Sequence, residues 1–181
     1  MRVGQDSAVT EFATVTGAMY GMAIDRGLLY TVSGDENLQV VNVFDLNSGR
    51  HVRSWNRTDT KKYFSSELVV VGNQVVIADI ANKALCVYTL TGQLAKRIPC
   101  QQITREDVCM SPTADNDSFI LSDWISDRVY KISITSGKVM WESDCVVYPQ
   151  GVTCYNNQYV LVFDGASGRE KIHVLEINTG K

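Results

Sequence analysis

Residues 75–93 read VVIADIANKALCVYTLTGQ, and this stretch decides the fold. An apolar run ends at Asp79, a short polar turn follows, and a second apolar run ends in a turn that contains Gly92. Both runs are rich in β-branched and aromatic residues, which suit a pleated, half-buried surface better than a helix. The stretch therefore predicts two adjacent strands with a tight turn at each end.

The same pattern occurs four times along the 181 residues. The apolar runs VVNVFDLNSG, CVYTLTG, VYKISITSG and IHVLEINTG end at Gly49, Gly92, Gly137 and Gly180, which lie 43, 45 and 43 residues apart. Working backwards from each glycine, we expect two earlier strands, for example SELVVVG (66–72) and QVVIAD (74–79), and a fourth strand after it, such as HVRSWN (51–56). No stretch shows the period of a long helix.

A four-stranded unit of about 44 residues, repeated, is typical of a β-propeller blade. We predict an all-β propeller of about four blades, at approximately 20–62, 63–105, 106–148 and 149–181. The fourth unit stops after its third strand, and residues 7–17 have the composition to supply the missing strand and close the ring. Alternatively, the chain is a fragment or half of a larger ring. Exposed blade edges would then favour a homodimer, in which two four-blade halves make eight blades.

Composition excludes several classes of protein. The formal net charge is −3, from 17 Lys and Arg against 20 Asp and Glu, which does not favour a basic nucleic-acid surface. Neither a signal sequence nor an apolar run of about 18 residues is present, so we expect a cytoplasmic protein without a membrane partner.

The five cysteines form no CxxC pair, which predicts reduced thiols and no zinc site. His51 and His173 lie at unlike repeat positions, which argues against a multi-histidine metal site.

The repeats resemble the NHL family of propellers. The tract FILSDWISDRVYKISITSGK (119–138) carries the strand, the Asp, the tight turn, the basic residue and the Gly turn of that pattern, and residues 75–93 carry most of it. A competing similarity is to quinoprotein-type propeller repeats, because Trp141 follows Gly137 at the spacing of their docking tryptophan. The NHL resemblance implies a platform that binds proteins, as in the substrate-recognition domains of tripartite-motif ubiquitin ligases, or in some cases RNA.

We therefore predict a non-catalytic scaffold that recognises a protein partner through loops on one face, without a metal or cofactor. The expected contact residues are aromatic and basic and lie in or beside polar loops: Trp124, Trp55, Tyr63, Lys61, Lys62 and Arg128. RNA binding through Lys61, Lys62 and Arg57 is a less favoured alternative. A metal-dependent, lactonase-like hydrolase is another, with Asp79, Asp123 and Asn82 as its hints. The recurring Asp79, Asp123 and Asp164 could hold a cation, although capping their own turns is favoured.

Overall fold

The computed structural model describes residues 12–35, 38–57, 67–103, 108–166, 168 and 170–181. Four antiparallel sheets, or blades, follow one another along the chain. Blade 1 contains β1 (Ala18–Asp25), β2 (Leu28–Gly34), β3 (Gln39–Asp45) and β4 (His51–Asn56). Blade 2 contains β5 (Leu68–Val71), β6 (Gln74–Asp79), β7 (Ala84–Thr89) and β8 (Leu94–Pro99). Blade 3 contains β9 (Val108–Pro112), β10 (Ser118–Asp123), β11 (Arg128–Ser133) and β12 (Val139–Ser143). Blade 4 contains β13 (Pro149–Tyr155), β14 (Tyr159–Asp164) and β15 (Lys171–Glu176).

This architecture confirms the predicted propeller class. Within each blade the strands pair in chain order, and no helix occurs in the described ranges. In particular, no helix there is long and apolar enough to cross a membrane. Of the predicted closing strand, residues 7–11 lie outside the described part, and residues 12–17 lie beside blade 1 without forming a strand. Closure of the ring by this segment stays a prediction.

The four repeated glycines make the turns that the sequence predicts. Gly49, Gly92, Gly137 and Gly180 have φ values of 68°, 91°, 71° and 69°, in the left-handed region that favours glycine. Each donates its backbone N–H to a carbonyl near the end of the strand before it, as Gly49 does to Asp45 at 2.9 Å. The repeat is thus visible in the sequence because one turn geometry recurs in every blade.

The core lies between the blades. Three apolar clusters join blades 1 and 2, blades 2 and 3, and blades 3 and 4. An outer-strand residue of each of the first three blades also packs against the glycine turn of the following blade. Trp55 lies over Gly92, Ile98 over Gly137 and Trp141 over Gly180, so closely that a Cβ on the glycine would lie within 2.6 Å of the partner side chain. The glycines therefore serve both the turn and the packing of consecutive blades.

Candidate functional site

The turns between the second and third strands of each blade lie on the same rim as the connections between blades, because successive strands are antiparallel. Trp124 lies in the turn between β10 and β11, and Tyr148 lies in the connection from β12 to β13. Their rings contact each other, with centroids 4.8 Å apart and planes inclined by 55°. Ile125 and Val147 are the exposed neighbours of these two residues in the chain. We call Trp124, Ile125, Val147 and Tyr148 the aromatic patch.

Trp124 is held in place by its own turn. The Asp123 carboxylate accepts the backbone N–H of Ile125 at 3.0 Å, which fixes the chain on both sides of the tryptophan. The indole is half-buried, and its Nε1–H is shielded from solvent without an acceptor among the described residues. The exposed part of the indole is therefore its apolar ring surface, while its one polar group faces into the protein. Trp124, a contact residue predicted from the sequence, is thus held in a fixed position with part of its ring exposed.

Tyr148 connects three segments of the rim through its backbone. Its φ of 56° lies in the left-handed region, its N–H donates to the Asp127 carboxylate at 2.8 Å, and its carbonyl accepts the N–H of Gly165 at 2.9 Å. The side chain remains exposed. Because the backbone is already fixed, little conformational entropy is lost at this residue when a partner binds the ring. Sequence reasoning missed Tyr148, since neither its φ nor its contact with Trp124 is visible in the chain.

Charged groups surround the aromatic patch. Arg128, a predicted contact residue, forms an ion pair with Asp144 at 3.2 Å. Asp144 is largely exposed, and Asp127 lies in the same turn as Trp124. Among the described residues, Asp123, Asp127 and Asp144 accompany Arg128, which gives this part of the rim a net negative charge.

Of the remaining predicted contact residues, Trp55 alone lies in the described part of the chain. Trp55 is half-buried between blades 1 and 2, where it packs against Gly92 and Tyr88, with 6.3 Å between the Trp55 and Tyr88 ring centroids. Lys61, Lys62 and Tyr63 lie outside the described residues. Arg57, which the RNA alternative invoked, is buried and donates to the Gln39 side chain at 2.7 Å. Its guanidinium is therefore withdrawn from any RNA-facing surface.

The recurring aspartates each serve their own turn. Asp79 accepts the backbone N–H and the amide of Asn82 at 3.2 and 2.9 Å, and Asp164 accepts the N–H of Ala166 at 3.0 Å and contacts His173 at 3.3 Å. All three carboxylates are buried. Within the described ranges no cluster of three or more His, Cys, Asp or Glu residues is suited to a metal ion. Asp79 and Asn82, two of the hints for a hydrolase, are thus engaged with each other.

The five cysteines are free thiols, of which Cys86 and Cys100 are buried and Cys145 is exposed. Burial raises the pKa of Cys100 to about 11 and also raises that of Cys154. These two groups are therefore protonated near neutral pH, and a thiol is a poor nucleophile compared with its thiolate.

A cleft on the opposite rim, of about 630 Å³, is lined by Asp25, Arg26, Gly72, Asn73 and Asn116. Arg26 donates to the Asp25 carboxylate at 2.8 Å, to the Asn73 side chain at 3.0 Å and to the Gly72 carbonyl. The Arg26 guanidinium thus joins the β1–β2 turn of blade 1 to the β5–β6 turn of blade 2. Because its hydrogen bonds are made within the protein, the cleft is a weaker candidate than the aromatic patch.

Known proteins support the architecture. No protein-family model matches the chain, and no curated protein matches it. Among solved structures, the chain is similar to the Pan2 WD40 domain of Neurospora crassa, with a TM-score of 0.62 and 12% identity over 91% of this chain and 48% of that one. For the Cps50 (Swd1) β-propeller domain of Myceliophteria thermophila the TM-score is 0.62, with 8% identity over 85% of this chain and 50% of that one.

A protein of unknown function from Bacteroides caccae gives a TM-score of 0.69, with 9% identity over 93% of this chain and 66% of that one. The chain therefore spans about half the length of the two fungal domains and about two thirds of the bacterial protein. At these identities the likeness shows the propeller fold. The NHL type of repeat stays a prediction.

Proposed function

We propose that the chain is a non-catalytic recognition scaffold that binds a protein partner at the aromatic patch. The observation that carries the proposal is the Trp124–Tyr148 pair, which is exposed in part, fixed by backbone hydrogen bonds on both sides, and flanked by exposed Ile125 and Val147. Tryptophan and tyrosine dominate the binding energy of many protein interfaces, because they bury a large area with few rotatable bonds. The WD40 and β-propeller neighbours and the NHL-like repeats support the same class of function.

The surroundings of the patch define the chemistry of the partner. An apolar side chain of the partner would cover the exposed parts of the Trp124 and Tyr148 rings. A lysine or arginine beside that side chain would face the Asp127 and Asp144 carboxylates. We therefore expect a segment that combines an apolar residue with a basic residue, and we expect its affinity to decrease as the salt concentration rises.

A random peptide library displayed on phage tests this proposal while the partner is unidentified. Peptides selected on the wild-type chain are synthesised and titrated against Trp124→Ala and Tyr148→Ala. We expect each variant to weaken binding at least tenfold, because a central aromatic contact contributes about 2 kcal/mol or more. The selected peptides should be enriched in basic residues next to an apolar residue.

The matched control is Leu94→Ala, which removes an exposed apolar side chain from the outer strand of blade 2. This variant should bind the selected peptides as the wild type does. Circular dichroism shows whether each variant keeps the β-sheet fold. Equal affinity of wild type and the Trp124 and Tyr148 variants would contradict the site, and selection of no peptide above background would contradict the recognition function.

A further inference from the structure

Blade 4 exposes an apolar sheet face on the side that points away from blade 3. Ile172, Val174 and Phe163 on this face are 69%, 57% and 41% exposed. The strand registers make Ile172, Val174 and Phe163 equivalent to Leu85, Val87 and Ala78 of blade 2, which are 0% exposed because blade 3 covers them. The face of blade 4 thus has the composition of an interface between blades, but no blade among the described residues covers it.

Blade 1 also exposes an apolar sheet face, on the side that points away from blade 2. Met22 and Ile24 are 60% and 63% exposed. By register they are equivalent to Leu68 and Val70 of blade 2, which are 1% and 6% exposed because they pack against blade 1. In the described part of the chain, blade 1 has no blade on this side, as blade 4 has none on its far side. Contiguous exposed apolar surface of this kind marks an interface.

The N-terminal segment, residues 12–17, occupies part of the position of that missing blade. The Phe12 carbonyl lies against Gly49, so that a Cβ on the glycine would be 2.5 Å from the carbonyl oxygen. At the interface between blades 1 and 2, the equivalent glycine is Gly92, and Trp55 on the outer strand of blade 1 covers it. Residues 12–17 therefore lie where the outer strand of a preceding blade belongs. Blade 4 is the blade with three strands, and β15 is its outermost strand.

We propose that a second copy of this chain covers both faces. Blade 4 of each copy packs against blade 1 of the other, and the N-terminal segment of one copy lies beside β15 of its partner. The exposed face of one copy's blade 4 contacts the exposed face of the other copy's blade 1, so the copies associate head to tail. Such contacts close into a ring when the rotation between the two copies permits it. The chain matches about half the length of the Pan2 and Cps50 propellers, which favours closure by two copies into eight blades.

Light scattering coupled to size exclusion measures the predicted mass. The wild-type chain should elute at twice its mass of 20.1 kDa and should keep that mass on dilution into the micromolar range. Met22→Lys and Phe163→Glu each place a charge in both interfaces of the ring, so each variant alone should elute as a monomer. Leu94→Lys is the matched control on an outer strand, and it should remain a dimer.

Mixing the two variants distinguishes head-to-tail pairing from other dimers. A mixed dimer contains one unaltered interface, and its other interface carries lysine and glutamate together. Equimolar Met22→Lys and Phe163→Glu should therefore recover the dimer mass, and native mass spectrometry should detect one copy of each variant. A dimer that joins like faces or blade edges would not regain its mass in this way.

Three outcomes would overturn the proposal: a monomeric wild type, an open series of larger assemblies, or a dimer that both variants leave intact. Because Met22 and Phe163 are exposed, each variant should keep the circular dichroism spectrum of the wild type, which shows that loss of the dimer is not loss of the fold.

Discussion

Glu67 carries a carboxyl group that the fold leaves poorly solvated. It lines a small cavity of about 230 Å³ with Met19, Tyr20, Gly21 and Met22, at the start of blade 2. Burial raises the pKa of Glu67 to about 7, and a hydrogen bond with the Leu68 backbone only partly opposes this effect. The folded protein therefore favours the protonated acid at pH values where the unfolded chain is already ionised.

This raised pKa makes the stability dependent on pH. Between pH 4.5 and about 7 the unfolded chain releases the Glu67 proton before the folded protein does, so the free energy of unfolding falls as pH rises and then levels off. Glu67→Gln removes this effect. We expect the variant to be about 2 kcal/mol more stable than wild type at pH 8 and equally stable at pH 4, as measured by urea denaturation. Glu142→Gln, on an exposed side chain, is the control and should show no such difference. A Glu67→Gln effect that does not change with pH would contradict the assignment.

At the scale of the element, a glycine turn and an outer strand form the contact that joins consecutive blades. Gly92 has a φ of 91°, and an added Cβ would lie 2.6 Å from the Trp55 ring. Gly27 offers a matched comparison, because its φ of 77° is also left-handed while an added Cβ would have no neighbour within 4 Å. Substitutions at the two sites therefore separate the energetic cost of a strained backbone from the cost of disturbing the packing between blades.

We expect Gly27→Ala to cost about 1 kcal/mol, since only the left-handed backbone opposes the methyl group. Gly92→Ala should cost about 3 kcal/mol, because the methyl group also displaces Trp55 from the interface between blades 1 and 2. Chemical denaturation measures both free energies, and the Trp55 fluorescence should change in Gly92→Ala alone. Equal losses at the two sites would show that the contact with Trp55 contributes little.

The strands were predictable from sequence, while the packing between them was only partly so. The recurring glycines and the alternation of β-branched residues predicted β4 and β6 at their observed bounds. The common role of Trp55 and Trp141 was hidden, because Trp55 follows its glycine by six residues and Trp141 by four. The one-residue register shift is the same in the β3–β4 and β11–β12 pairings, so the two tryptophans hold different positions on their strands, opposite Val41 and Lys131. Only the packing shows that both cover the glycine of the next blade. Tyr148 was missed for a similar reason, since its position depends on a tertiary contact with Trp124.

At the scale of the whole molecule, burial is greatest in the middle of the chain and lowest at its ends. All residues of β5 are buried, and β6 and β7 are buried except for one residue each. In blade 4, by contrast, four of the six residues of β15 are exposed. Local opening is easier where fewer apolar contacts must break, so the blades should differ in their protection from amide hydrogen exchange. In the monomer we expect blade 2 to be protected most and β15 least.

Hydrogen exchange can therefore locate the contact between copies, which the mass alone cannot do. If the N-terminal segment of a partner pairs with β15, the amides of this edge strand gain hydrogen bonds in the dimer. We expect exchange of β15 amides to be at least tenfold slower in wild type than in monomeric Met22→Lys, although Met22 itself lies in blade 1. The amides of β6 and β7 should exchange slowly in both proteins. Equal exchange of β15 in dimer and monomer would show that the copies associate without adding a strand to blade 4.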